Sequence, residues 1–316
     1  MDALYNAAKP RVVAIGGPTA TGKTALSVAL AKRFGGEIIS ADSMQIYQGL
    51  DVGTAKVTPE EMQGVPHHLV GFLAPEQAFS VADFTTLAGK TITQLTAQGK
   101  LPLVVGGTGL YITSLLNGIG FTPEKVDPAI RQELQARLQA EGSQALYAEL
   151  AAVDPGYAAK VHPNNTPRVI RALELYRATG RKMSAEREAA RPAEKPYRSL
   201  CLCLTCRDRA ALYDRIGRRV DLMVKNGVLD EAKQVYDHRE SYRTAAQAIG
   251  YKEFFPYFEG TAPLEECTEK LKQATRNYAK RQLTWFRRQN DAVWLYIDEE
   301  NVIERACSLV REFLQN

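Results

Sequence analysis

No stretch of this sequence reaches the roughly 18–20 consecutive apolar residues a membrane-crossing helix needs. The opening MDALYNAAKPR also holds no apolar segment of the kind that makes a secretory leader. A cytoplasmic protein with no membrane partner is expected. Cysteine is scarce, at 5 residues in 316, which excludes a disulfide-stapled fold. Cys201, Cys203 and Cys206 cluster in RSLCLCLTC, yet no histidine and no second CxxC follows at zinc-finger spacing. Small thiols packed as apolar groups in a buried strand are expected instead. His67, His68, His162 and His238 form no readable pattern. Charge is nearly balanced, with 40 Lys+Arg against 36 Asp+Glu and a net of +4. That is too little to argue for nucleic acid by itself. Internal repeats and low-complexity tracts are missing too. What is present, 45% hydrophobic and 24% charged residues, suits a folded globular chain of one large or two moderate domains and excludes disorder.

RVVAIGG from Arg11, EIISAD from Glu37 and LPLVVGGTG from Leu101 are short apolar runs ending in turn residues. They have the pattern of strands buried on both faces of a parallel sheet. HHLVGF from His67 is a further candidate strand. Helical stretches such as KTALSVALAKRFG alternate with these runs, which predicts a doubly wound α/β core with ligands beyond the carboxyl ends of the strands. From about Phe121 the character changes. Asp127-Pro128 and Thr166-Pro167 each pair a cap with a proline at a helix start, ahead of AIRQELQARLQAEG and RVIRALELYRATG, with no strand between. The spacing predicts a core formed by residues 1–119 and 197–316, interrupted by a helical insertion over 120–196. RSLCLCLTC and AVWLYID from Ala292 supply the later strands, and helices fill the C-terminal part.

Gly17-Pro18-Thr19-Ala20-Thr21-Gly22-Lys23-Thr24 matches G-x-x-x-x-G-K-[ST], after a strand and before a helix as that motif requires. At average residue usage a chance match is on the order of one in a hundred for a chain of this length. Backbone N–H groups and the helix N-terminus would hold diphosphate oxygens. Lys23 would neutralise them, and the Thr24 hydroxyl would ligate Mg²⁺. The core is therefore expected to be P-loop NTPase-like. A Walker B acid is missing where LPLVVGGTG ends in glycines. EIISAD does end in Asp42, but inside SADSMQIYQGLDVGTAK, a loop whose Asp42, Ser43, Gln45 and Tyr47 suit an acceptor beside the phosphates better than a nucleotide triphosphate.

GPTATGKT, ISADSMQIYQGLDVGTAK, VGGTGLY, TPRVIRALE, QAIGYKE and TRNYAKRQLTWFR together resemble the bacterial tRNA dimethylallyltransferases (tRNA isopentenyltransferases, the IPP transferase family). The motifs span Gly17 to Arg287. The resemblance implies that the P-loop binds dimethylallyl diphosphate rather than ATP, and that the product is the N6-isopentenyl form of adenosine 37, just 3′ of the anticodon. Ending soon after its last helix, without a zinc-finger segment, the chain resembles the compact bacterial form.

The adenine amine is a poor nucleophile, since its lone pair is delocalised into the ring. A positioned carboxylate that takes its proton would help, and Asp42 is the candidate. Its alternative role is a turn cap or a water-mediated metal contact. Lys23, Thr24 and Mg²⁺ would stabilise the departing diphosphate. Arg215 and Arg219, four apart on one helix face, could close over it; a solvated basic face is the alternative. The resemblance further implies that Asp42, Ser43, Met44 and Gln45 surround the flipped base, that Thr108 contacts the tRNA, and that Arg131, Pro167 and Arg168 touch the RNA from the insertion. Gln247, Gly250 and Lys252 lie in another resembling segment. Lys272, Arg276 and Lys280 fall at i, i+4 and i+8, a basic stripe on which phosphates could lie; Tyr278, Trp285 and Phe286 nearby have ordinary core packing as their other reading. The expected partners are thus the tRNA anticodon stem-loop and dimethylallyl diphosphate, with the protein acting as a monomer. An adenylate isopentenyltransferase would share the donor but modify a free nucleotide. A small-molecule P-loop kinase would need ATP and no tRNA, and a non-catalytic RNA-binding module would have no use for a metal-ligating hydroxyl at Thr24.

Overall fold

The computed structural model describes residues 9–121 and 127–316, so most of the N-terminal stretch in which no leader was found lies outside the described residues. The chain forms two compact units, one from the segments before Asn117 and after Lys195, the other spanning Asn117–Lys195. The first unit runs β1 (Arg11–Gly16), α1 (Lys23–Phe34), β2 (Gly36–Ser40), α2 (Pro59–Met62), β3 (His67–His68), α3 (Val81–Ala97), β4 (Leu101–Val105) and α4 (Gly109–Leu116). The second unit holds α5 (Pro128–Glu141), α6 (Ser143–Val153), α7 (Pro155–Ala158), α8 (Thr166–Thr179) and α9 (Met183–Ala189). The chain then returns to the first unit with β5 (Arg198–Thr205), α10 (Arg209–Lys225), α11 (Val228–Asp237), α12 (Phe255–Phe258), α13 (Leu264–Phe286), β6 (Ala292–Tyr296) and α14 (Val302–Gln315).

The six strands form one sheet in the order β3-β2-β4-β1-β5-β6, and every pairing is parallel. Parallel neighbours need crossovers, so the loops after β1, β2, β4 and β5 all emerge at one edge. Val12, Val13, Ala14 and Ile15 of β1 are all fully buried. Val13 and Ile15 face a core shared with α1 and α14, while Val12 and Ala14 face α3, α4 and Phe286 of α13. Burial on both faces is why the strand reads as an unbroken apolar run rather than an alternating one. Cys203 of β5 belongs to the second core, with its Sγ 3.9 Å from that of Cys201. HHLVGF yields only the two-residue β3, because Leu69 adopts φ 60° and the left-handed backbone ends the pairing. A third core joins Ile46, Tyr47 and Leu50, just after β2, to α11 and α13.

The helical unit has its own core of Leu134, Leu146, Leu150, Val169 and Leu173. The Asp127 carboxylate accepts the Ala129 N–H at 2.9 Å ahead of Pro128, and Gly180 at φ 71° closes α8. Among the described residues no helix is long and apolar enough to cross a membrane.

Candidate active site

The loop between β1 and α1 is shaped by backbone that side chains disfavour. Gly17 sits at φ 135° with the position of a Cβ only 2.4 Å from the Leu204 carbonyl oxygen, so no other residue fits between β1 and β5 there. Ala20 carries φ 64° and Gly22 φ 77°, leaving Gly22 as the cap of α1 with its amides unclaimed by any side-chain cap. Thr21 is buried and its hydroxyl donates to the Pro18 carbonyl at 2.8 Å. Lys23 Nζ donates to the same carbonyl at 2.7 Å. Burial, and then the charge of Arg219, pull the Lys23 ammonium down to about 7, against the opposing pull of Asp42. Such a lysine gains from an arriving anion, which would restore the partner that burial has removed.

α10 supplies the two arginines expected to close over the loop. Arg215 Nε donates to the Ala20 carbonyl at 2.8 Å and so braces the strained residue. One turn on, Arg219 is half-buried; burial lowers its pKa, while Asp42 and Glu61 raise it. Asp42, Lys23 and Arg219 therefore share one electrostatic neighbourhood at the sheet's carboxyl edge, assembled from three elements.

Asp42 leads the loop after β2. Its Oδ1 accepts the N–H groups of Met44 (2.9 Å) and Gln45 (3.4 Å), a turn that fixes the carboxyl group. Ser43 N–H donates to Thr108 Oγ1 at 3.1 Å, which ties this loop to the one after β4. Gln45 is committed inward, with Nε2 donating to the Ala55 carbonyl at 3.0 Å. Met44 is half-buried against the third core. Thr24 lines a cavity of about 30 Å³ whose other walls are the polar Ser27, Ser40, Gln45 and His67 and the apolar Ile38, Val57, Val70 and Val105. Thr24, Ser27, Ser40 and Gln45 carry hard oxygen donors, the class Mg²⁺ prefers. Among the described residues no group of three or more His, Cys, Asp or Glu side chains could hold a metal alone. The donors therefore fit a Mg²⁺ that takes most of its oxygens from a bound diphosphate and water.

Gln282 and Glu231, which the sequence did not single out, and Tyr278, noted there only as an aromatic beside the basic stripe, complete the wall. Gln282 of α13, 5% exposed, accepts the Thr19 N–H through Oε1 (3.1 Å) and donates through Nε2 to the Gly107 carbonyl (3.0 Å). Tyr278, one turn earlier, hydrogen-bonds to Thr108 and Gln282; burial foremost, then Asp42, pushes its phenol up. Glu231 of α11 accepts the successive N–H groups of Asp51, Val52 and Gly53 at 2.8, 2.7 and 2.9 Å and the Tyr251 hydroxyl at 3.0 Å. It pins the far end of the loop after β2. Gln282 and Tyr278 lay inside TRNYAKRQLTWFR, where the basic residues drew attention, and Glu231 lay in no motif.

The remaining expected residues are spread more widely. Gly250 is buried at φ 116°, a Cβ there lying 2.8 Å from the Gly53 carbonyl oxygen, so packing occupies it. Of that segment, Gln247 and Lys252 have exposed side chains. On α13, Lys272 is ion-paired to Asp221 (2.8 Å) and Glu269 (2.9 Å), and Arg276 donates to Gln273 (3.1 Å). Lys280 is exposed. Phe286 is fully buried in the second core, whereas Trp285 is half-buried with its ring against Gly109. In the helical unit Arg131 is paired at 2.9 Å with the buried Glu174, which Arg171 also engages at 2.9 Å. Pro167 and Arg168 are exposed in the first turn of α8.

Residues 45–289 match the family described as IPP transferase, and residues 10–70 match that described as Isopentenyl transferase. The tRNA dimethylallyltransferase of Bacillus subtilis is 50% identical over 289 residues, covering 92% of this chain and 91% of the relative. The crystal structure of the full-length tRNA isopentenylpyrophosphate transferase of Bacillus halodurans is 46% identical, with 97% of each chain covered and a TM-score of 0.72. A eukaryotic dimethylallyltransferase caught acting on tRNA is 32% identical with a TM-score of 0.82, over 97% of this chain and 80% of that one. With the family pattern covering most of its length and relatives at half identity, the chain belongs to the IPP transferase family.

Proposed function

We propose that this chain transfers a dimethylallyl group from dimethylallyl diphosphate to the N6 amine of adenosine 37 of tRNA, releasing diphosphate. The observation that carries the reading is the convergence at one sheet edge of a diphosphate loop, Lys23 and Arg219 with Asp42, in a chain whose relatives bear the tRNA dimethylallyltransferase name. The loop amides, Lys23 and Arg219 hold the diphosphate, with Arg215 bracing the loop from α10. As the N6 lone pair forms a bond to the allylic C1, the C1–O bond breaks and its electrons leave on the diphosphate. Asp42 accepts the N6 proton. Thr24 would hold Mg²⁺, which when bound supplies charge to offset that developing on the leaving oxygens.

The target base must leave its stack, which costs least in a single-stranded loop, and Ser43, Met44, Gln45 and Thr108 form the wall it would meet. Lys280, Arg276, Gln247 and Lys252 of the first unit, and Arg131, Pro167 and Arg168 of the helical unit, are the proposed tRNA contacts. The proposal includes a cytoplasmic location, which a tRNA substrate supports, and action as a monomer. The test is to incubate the protein with unmodified tRNA, Mg²⁺ and either dimethylallyl diphosphate or ATP, then digest the RNA for nucleoside mass spectrometry. Isopentenyladenosine at position 37 with the prenyl donor alone is the expected result. ATP consumption without RNA, or modification of free AMP in preference to tRNA, would overturn it.

A further inference from the structure

We propose that Gln282 is a positioning residue for the transfer, the clasp that sets the spacing between the donor loop and the acceptor loop. The inference rests on the prenyl-transfer reading above. Its geometry is a continuous chain of contacts. Thr19, in the middle of the diphosphate loop, gives its N–H to Gln282 Oε1 at 3.1 Å. Gln282 Nε2 donates a hydrogen bond to the Gly107 carbonyl at 3.0 Å. The next residue, Thr108, accepts the Ser43 N–H at 3.1 Å and gives its own N–H to the Ala41 carbonyl at 3.2 Å, so it grips both neighbours of Asp42. Tyr278 reaches Thr108 and Gln282 from the same helix.

A side-chain amide satisfies both ends at once. The Thr19 N–H requires an acceptor and the Gly107 carbonyl requires a donor, and a buried group that met just one would leave the other unpaired. A carboxylate would set oxygen against oxygen at Gly107. The glycine is part of the device, since a Cβ at Gly107 would lie 2.1 Å from Gln282 Nε2. α13 is anchored independently by Phe286 under Gly16, and so gives the clasp a rigid base. The two hydrogen bonds of the Gln282 amide go to loop backbone, at Thr19 and Gly107, rather than to the carboxyl group of Asp42. Gln282 acts through the two loops, and in-line transfer depends on their separation.

The experiment compares wild type, Gln282→Leu, Gly107→Ala and the double variant, with kcat and both KM values measured per folded molecule and a thermal melt for each. Losing alignment while both binding surfaces persist should lower kcat in Gln282→Leu about a hundredfold and leave the KM for dimethylallyl diphosphate and for tRNA within about threefold. Gly107→Ala, which expels the amide from the other side, should show the same split. Both changes open the same clasp, so the double variant should lose no more than the worse single one, instead of the product of the two. Wild-type kcat in Gln282→Leu, KM values that rise while kcat holds, or multiplicative losses in the double variant would overturn the clasp. Absence of isopentenyladenosine with the wild-type protein would overturn the reaction and the clasp with it.

Discussion

The two walls of the crevice are built by opposite strategies. The proposed donor wall is one contiguous octapeptide whose shape comes from backbone: left-handed φ at Gly17, Ala20 and Gly22, a helix N-terminus behind them, and a lysine folded back on Pro18. The proposed acceptor wall is a loop of ordinary residues held from outside, by Thr108 from the β4 loop, by Glu231 of α11 together with Tyr251 from the turn after Gly250, and by Gln282 through Gly107. A phosphate can be met by amides that any sequence carries, so its site needs the right glycines and little else. A flipped base offers no fixed charge, so its site must be positioned by its surroundings.

That contrast can be broken first on the donor side. Gly17→Ala must force a Cβ toward the Leu204 carbonyl and strain a backbone at φ 135°. A loss of at least about 2–3 kcal/mol in stability is expected, read as a lower Tm together with lost diphosphate binding. The acceptor side should yield next. Glu231→Ala strips the acceptor from three successive N–H groups and a tyrosine, and about 2 kcal/mol of stability should go with it. Diphosphate affinity should hold while tRNA turnover falls, as calorimetry and a turnover assay would report.

A smaller effect separates the walls by pH. The folded Lys23 lies near 7, below its ordinary 10.5. Between those values the unfolded chain holds the proton that the folded protein lacks, so this residue makes stability rise with pH across that window. Diphosphate should restore the proton. Calorimetric titrations at pH 8 in buffers of different ionisation enthalpy should show proton uptake that Lys23→Met reduces, whereas Asp42→Asn leaves most of it in place. The smallest expected change is at the surface. Lys280→Ala should lower the slope of log affinity for tRNA against log salt by about 1, while an equivalent change at Lys272, already paired to Asp221 and Glu269, should move it less.

The same contrast decides what could be read from the residues alone. The octapeptide was legible because its parts are neighbours in the chain, and the strands of the core because burial on both faces leaves unbroken apolar runs such as Val12–Ile15. Asp42 was legible as a polar loop opening at a strand end. Gln282 was not, because its partner Thr19 is 263 positions away and a single amide among arginines and lysines carries no spacing signal. Glu231 escaped for the same reason. Gly250 drew attention as a motif residue, whereas its φ of 116° and its burial against Gly53 are not announced by the sequence. β3 fell short of its apolar run because a left-handed Leu69 is a backbone choice that composition does not announce.

The account turns on Asp42 taking the proton of the attacking amine, and single-turnover transfer by Asp42→Asn, measured beside its tRNA dissociation constant, tests it most directly. The expected result is a rate lower by about 10²–10⁴-fold with tRNA affinity unchanged. Equal losses in rate and affinity would contradict it and leave Asp42 as the cap of the Met44 turn.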